Sequence, residues 1–229
     1  ILMSQMAARE FNIEDPSLVA VASTGVIGDF LPLNKIEIGI KQAREFYPDN
    51  PSGYDTARAI MTTDTFLKEK AVTFFLDGQE VHLAGIAKGS GMIKPNMATM
   101  LGFILTDAAI DPISLQKALK SAVDVSFNRV TVDGDTSTND MVLLLANGKK
   151  GKTVMSEMHP DFFIFQEALN RVCQDLAKDI ARDGEGATKF INVIVQKAKS
   201  ESEARIVAFT VAESPLVKTA MFGEDPNWG

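Results

Sequence analysis

Residues 89–101, Gly-Ser-Gly-Met-Ile-Lys-Pro-Asn-Met-Ala-Thr-Met-Leu, hold the chemistry most worth weighing in this chain. A loop punctuated by Gly and Pro leads directly to a small residue, Ala98, and a hydroxyl residue, Thr99. An apolar run over 100–105 follows. A self-cleaving precursor needs this order: a strained loop feeding a buried strand that begins at a hydroxyl residue. If the Ala98–Thr99 bond breaks, Thr99 carries a hydroxyl nucleophile and an amine base on one carbon framework. An α-amine titrates near about 7.7–8.0, so it acts as a base near neutrality with little tuning.

Other chemistries find less support. Only two histidines exist, His82 in an expected strand and His159 before Pro160, and both read as structural or exposed. Cys173 lies among apolar positions of an expected helix and reads as core. The acidic loop 133–140 superficially resembles a calcium loop. An EF-hand starting at Asp133 would need Gly at Thr138 and a bidentate Glu at Leu144, and it has neither. A solvated turn, or a loop whose side chains brace a neighbouring site, fits better. Residues 85–91 invite comparison with a phosphate loop, but Lys88 precedes Gly89 and the Walker order fails. No metal site is expected.

These residues must be positioned by a fold of alternating helices and strands. Helical spacing covers 2–11, 32–46, 55–61, 113–125, 162–181 and 201–211. Strands are expected over 18–22, 71–76, 80–87, 100–105, 141–146 and 190–198. Asp77-Gly78 between two of them is a strong hairpin signal. A hairpin where a parallel series would need a crossover favours α+β, with helices packed on mixed β-sheets, over a doubly wound dinucleotide fold.

The 229 residues suffice for one large domain or two small ones. With a net charge of −7, a nucleic-acid groove is not expected. Nor is a membrane partner, since no run approaches the ~20 apolar residues of a span. A single cysteine rules out an intramolecular disulfide and suits a reducing compartment. Ile1-Leu2-Met3 does not read as a signal peptide. The chain opens without Met and stops at Asn227-Trp228-Gly229, so it is expected to be a fragment cut at both ends.

Five strings, in order along the chain, resemble the ornithine acetyltransferase (glutamate N-acetyltransferase) family of arginine biosynthesis. They are residues 23–28, 61–65, 87–101, 133–140 and 222–229. The resemblance implies an α+β fold shared with self-processing, N-terminal-nucleophile-like aminopeptidases. It implies autocleavage between Ala98 and Thr99 by an N→O acyl shift, giving an upstream portion, 1–98, and a downstream portion, 99–229. It further implies ping-pong transfer of acetyl from N2-acetyl-L-ornithine to L-glutamate through an acetyl-Thr99 ester. Acetyl-CoA is a further donor in bifunctional members, and no bound cofactor is implied.

By the same resemblance Thr24 and Gly25 supply the oxyanion donors, each worth about 3 kcal/mol. Thr62, Lys88, Thr99 and Glu185 bind substrate. Chemically, Lys88 suits a carboxylate, Glu185 an ammonium group, and Thr62 a hydrogen bond to either. Taken without the family, Lys88 and Glu185 read as ordinary exposed charges. A cytoplasmic heterotetramer of two upstream and two downstream chains is implied for the full-length protein. The rival readings are a self-processing Thr amidohydrolase or aminopeptidase, with water as acceptor, and a non-catalytic amino-acid-binding module.

Overall fold

The computed structural model describes residues 1–46, 52–94 and 100–226. They form two compact units, Ile1–Thr56 and Ala57–Gly229.

In the first unit, helices α1 (Leu2–Phe11) and α2 (Leu33–Phe46) pack together. Their polar faces are joined by Arg9–Glu37 at 2.7 Å. Asn12 ends α1 in the left-handed conformation, φ 55°. The strand expected over 18–22 does not form. Asp15 accepts the Ser17 N–H, with Pro16 at the first helical position, and winds Pro16–Leu18 into a single 3-10 turn. Val19 is extended, but residues 19–22 join no sheet among the described residues. Helix α3 (Gly53–Ala59) starts two residues earlier than the spacing predicts, because the Ser52 hydroxyl accepts the Asp55 N–H.

The second unit is built on one mixed sheet, β1 (Lys68–Leu76), β2 (Gln79–Lys88), β3 (Leu101–Ile110) and β4 (Met141–Met155), in that order. The β1–β2 hairpin turns at Asp77 and Gly78, with φ 51° and 73°, a two-residue turn whose twist matches the strands. Strand β2 runs antiparallel to β3. Strand β4 is parallel to β3 because helix α4 (Pro112–Asp124) carries the chain back between them. Asp111 starts α4 by accepting the Ile113 and Ser114 N–H groups.

One sheet face is covered by α4 and by α5 (Phe162–Arg182). The α5 stripe Phe165, Leu169, Val172, Cys173, Leu176 and Ile180 is fully buried at helical spacing. It meets the inward strand residues Val81, Leu83 and Ile104. Gly85 makes that approach possible: a Cβ there would lie 3.0 Å from Leu176 Cδ1 and 3.2 Å from Val172 Cγ1. The opposite face is also apolar but open, with Phe75, Leu105 and Leu145 each more than half exposed. This is the α+β arrangement of helices on a mixed sheet that the sequence predicts.

The strand expected over 190–198 is absent; these residues belong to neither helix nor sheet, and Lys197 adopts a left-handed backbone, φ 61°. Helices α6 (Glu201–Ala212) and α7 (Pro215–Gly223) follow. No single helix among the described residues is long and apolar enough to cross a membrane. The α6–α7 pair, bent by 58°, meets that test only when taken together.

Candidate active site

Lys88 is the last residue of β2, and its side chain is among the most deeply buried in the protein, with 2% of the residue exposed. The exposed-charge reading of this lysine is therefore wrong. Alternation would turn position 88 away from the α5 layer, but the segments around it close over it. Burial pushes its ammonium pKa below the ordinary range, Asp64 and Asp140 pull it up again, and Lys68 pushes it down.

The surrounding segments meet at a second buried lysine. Lys68 Nζ donates to Asp64 Oδ1 at 2.6 Å and to Asp183 Oδ2 at 2.5 Å, and all three side chains are essentially inaccessible. Asp64 also accepts the Gly89 N–H at 2.7 Å and the Thr62 N–H at 3.1 Å. Burial raises the Asp64 pKa, but the Gly89 N–H, Lys68 and the Thr62 N–H outweigh it and hold the carboxyl below its usual value. Asp183 accepts the Thr65 N–H on both oxygens, at 3.0 and 3.1 Å, and the Thr65 hydroxyl as well.

Glu185 is exposed, and its N–H donates to the Ser90 carbonyl at 2.9 Å. Its carboxyl lies against Gly91, where a Cβ would stand 2.6 Å from Glu185 Cδ. Ser90 is buried and shares a 2.7 Å hydroxyl contact with Thr63. Thr62, Lys88 and Glu185 thus lie on segments tied together at the end of β2, through the Thr62 and Gly89 N–H groups on Asp64 and the Glu185 N–H on Ser90.

The acidic loop holds both sides of the expected nucleophile segment. Asp133 accepts the Met92 N–H at 2.5 Å and the Ile93 N–H at 2.9 Å. Asp140 Oδ1 accepts the Met100 N–H at 2.8 Å, and Met141 N–H returns a bond to the Met100 carbonyl. Asp140 Oδ2 is buried with no hydrogen-bond partner among the described residues. Burial pushes the Asp140 carboxyl up to about 6, against the Met100 N–H and the Lys88 charge, which both lower it. Ala98 and Thr99 themselves lie outside the described residues. Thr24 and Gly25 belong to the first unit, in a segment outside any helix or strand, where a Cβ at Gly25 would meet Leu31 Cδ2 at 3.4 Å.

Asp64, Lys68, Asp183 and Asp140 do not emerge from sequence reasoning as site residues. Asp64, Asp183 and Asp140 sit inside polar strings whose spacing gives them no role of their own. Lys68 carries no signal at all, because nothing local marks a lysine at the start of an edge strand as buried.

The remaining clusters are structural. Asp77, His159 and Asp161 place ligand atoms within 4.8 Å of one another. However, His159 Nδ1 accepts the Asp161 N–H at 3.1 Å and Nε2 faces Asp77 Oδ1 at 3.3 Å, so both nitrogens are engaged. Asp161 also accepts the Asp77 N–H at 2.8 Å, tying the hairpin turn to the start of α5. His82 is exposed between Asp107 and Glu80. Cys173 is fully buried, and burial pushes its thiol up to about 12, which suits a core residue.

The profile of the ArgJ family matches residues 2–229, virtually the whole chain. The chain belongs to the ArgJ family. It is 53% identical over 228 residues to the arginine biosynthesis bifunctional protein ArgJ of Bacillus subtilis, covering 99% of this chain and 55% of that protein. Against the protein of the same name from Oceanobacillus iheyensis it is 52% identical, covering all of this chain and again 55% of the relative. The chain therefore spans about half the length of the curated ArgJ proteins it matches. The crystal structure of ArgJ from Bacillus halodurans superposes on 56% of this chain and 60% of that one, with TM-score 0.50 and 47% identity. Family membership and the mixed-sheet α+β fold agree.

Proposed function

We propose that this chain is the part of an ArgJ acyltransferase that carries the nucleophile. The reaction moves acetyl from N2-acetyl-L-ornithine to L-glutamate in arginine biosynthesis. The observation that supports this best is the convergence of Thr62, Lys88 and Glu185 on one hydrogen-bonded cluster at the end of β2. They come from three separate stretches of the chain, and one ligand that needs all three accounts for their meeting.

In the proposed maturation, the Thr99 hydroxyl attacks the Ala98 carbonyl and displaces its own amide nitrogen. Water then hydrolyses the ester, leaving Ala98 with a carboxylate and Thr99 with a free amine. Strands β2 and β3 lie either side of the cut and are paired in one sheet, so both portions stay held together after scission. In turnover, the Thr99 amine takes the hydroxyl proton as the oxygen attacks the acetyl carbonyl. Thr24 and Gly25 stabilise the oxyanion by donating hydrogen bonds. Ornithine leaves with a proton returned to its nitrogen, and the acetyl ester passes to the amine of glutamate.

In this reading the buried Lys88 ammonium meets a substrate carboxylate, and the exposed Glu185 carboxylate meets an ammonium group. Acetyl-CoA serves as an additional donor if the protein is bifunctional, and no bound cofactor takes part. We place the mature enzyme in the cytoplasm, as a heterotetramer of two upstream and two downstream chains.

Incubating full-length, processed protein with N2-acetyl-L-ornithine, with and without glutamate, tests this reading. Acetate release independent of glutamate would indicate a Thr amidohydrolase instead. No acetylated peptide beginning at Thr99 would leave only an amino-acid-binding module.

A further inference from the structure

Resting on that function, we propose that the buried Asp64–Lys68–Asp183 triad is a positioning device that sets affinity for amino-acid substrates.

Both backbone contacts of Asp64 end at or next to a residue assigned to substrate binding, and Asp183 lies close to a third in the chain. Asp64 holds the Thr62 N–H directly and the Gly89 N–H, one residue beyond Lys88. Asp183 holds Thr65 and lies two residues before Glu185, whose own N–H is fixed to Ser90. Lys68 joins the two carboxylates and so joins the three segments.

Stability alone gives weak grounds for such a cluster. Taking three charges out of water is costly, and apolar replacement of buried ion networks is often neutral or stabilising. A hydrogen-bonded ion cluster does fix direction, which an apolar contact does not. Charge balance points the same way. Two carboxylates and one ammonium leave a net negative charge, and the nearby buried Lys88 ammonium offsets it. Asp64 in turn favours the charged form of Lys88. Asp140 acts on Lys88 in the same sense as Asp64, and Lys68 in the opposite sense.

Asp64→Asn in the full-length protein is the test. An amide keeps one acceptor for Gly89 N–H but turns a donor toward Thr62 N–H, and it removes the charge. The KM for N2-acetyl-L-ornithine and for L-glutamate should rise about tenfold or more, the loss of one charge-assisted hydrogen bond. The rise should be larger at higher pH, where Lys88 loses its proton more readily. Acetylation of Thr99 by p-nitrophenyl acetate, which has neither carboxylate nor ammonium, should stay within about twofold of the unmodified protein.

A variant that loses both reactions equally, or neither, overturns the proposal. If Asp64→Asn does not fold, Thr65→Val carries the test. It removes one hydroxyl from Asp183, and the same split is expected at about threefold, with no split overturning the proposal. Failure of the unmodified protein to form acetyl-Thr99 from either donor would instead overturn the proposed function, so the two failures are distinguishable.

Discussion

Asp140 Oδ1 accepts the Met100 N–H at 2.8 Å, fastening the acidic loop to the residue that follows position 99. The other oxygen of this carboxylate is buried and has no hydrogen-bond partner among the described residues. The Met100 N–H, and after it the Lys88 charge, are what offset the desolvation of Asp140.

The cost should be visible as a pH dependence. The folded-state value, about 6, lies above the ordinary 3.8. Between those values the folded chain keeps a proton that the unfolded chain has released, so this group's contribution to stability falls as pH rises through the window. It levels off above it. Asp140→Asn keeps an acceptor for Met100 N–H and removes the charge. Solvent reaches part of the group, so the gain above pH 7 should be about 1 kcal/mol, or ~2–4 °C in Tm, with no difference near pH 4. Thermal melts across pH 4–8 check this. A variant less stable at every pH would show that the carboxylate is net favourable.

Gly91→Ala separates binding from folding. The new Cβ would stand 2.6–2.9 Å from the Glu185 carboxyl atoms, and the obstacle is the end of a flexible side chain. Glu185 should swing away at a cost within about 0.5 kcal/mol of stability. Substrate KM should rise about tenfold, the value of one charge-assisted contact. Unchanged KM would remove Glu185 from the binding site.

Asp133→Ala releases the Met92 and Ile93 N–H groups on the near side of the same segment. The carboxylate is exposed, so the loss should be about 1 kcal/mol in stability. Scission between Ala98 and Thr99 should slow about tenfold, because the loop before it is no longer held. Time courses of chain cleavage after synthesis give the rate; an unaltered rate would mean that this brace has no part in processing.

Gly85→Ala probes the sheet–helix contact. A methyl group 3.0 Å from Leu176 Cδ1 and 3.2 Å from Val172 Cγ1 overpacks a fully buried layer. About 1–3 kcal/mol should be lost. Denaturant unfolding measures it, and a neutral result would mean that α5 shifts freely on β2.

Much of this architecture is legible in the residues themselves. The α5 stripe has clean helical spacing, Asp77-Gly78 announces its own turn, and Asp111-Pro112 marks the start of α4. The expected strands over 18–22 and 190–198 fail for one reason: a short apolar run states a wish to be covered, but pairing depends on a neighbour that local sequence does not name. Helix α7 goes unseen because its nine residues are too few for a periodicity to emerge. At the site, the family resemblance indicates Thr62, Lys88 and Glu185, whereas the Lys68 triad depends on a contact between residues 115 apart in the chain. Such contacts leave no local trace.

Mass mapping of the full-length protein, with position 99 as Thr, Ser or Val, tests the central claim most directly. The account predicts two pieces meeting between Ala98 and residue 99 for Thr and Ser, with acetyl recovered on the downstream terminus after exposure to N2-acetyl-L-ornithine. Thr99→Val should remain one chain and transfer nothing. A folded Thr99→Val protein that still carries acetyl from ornithine to glutamate at the unmodified rate would contradict it.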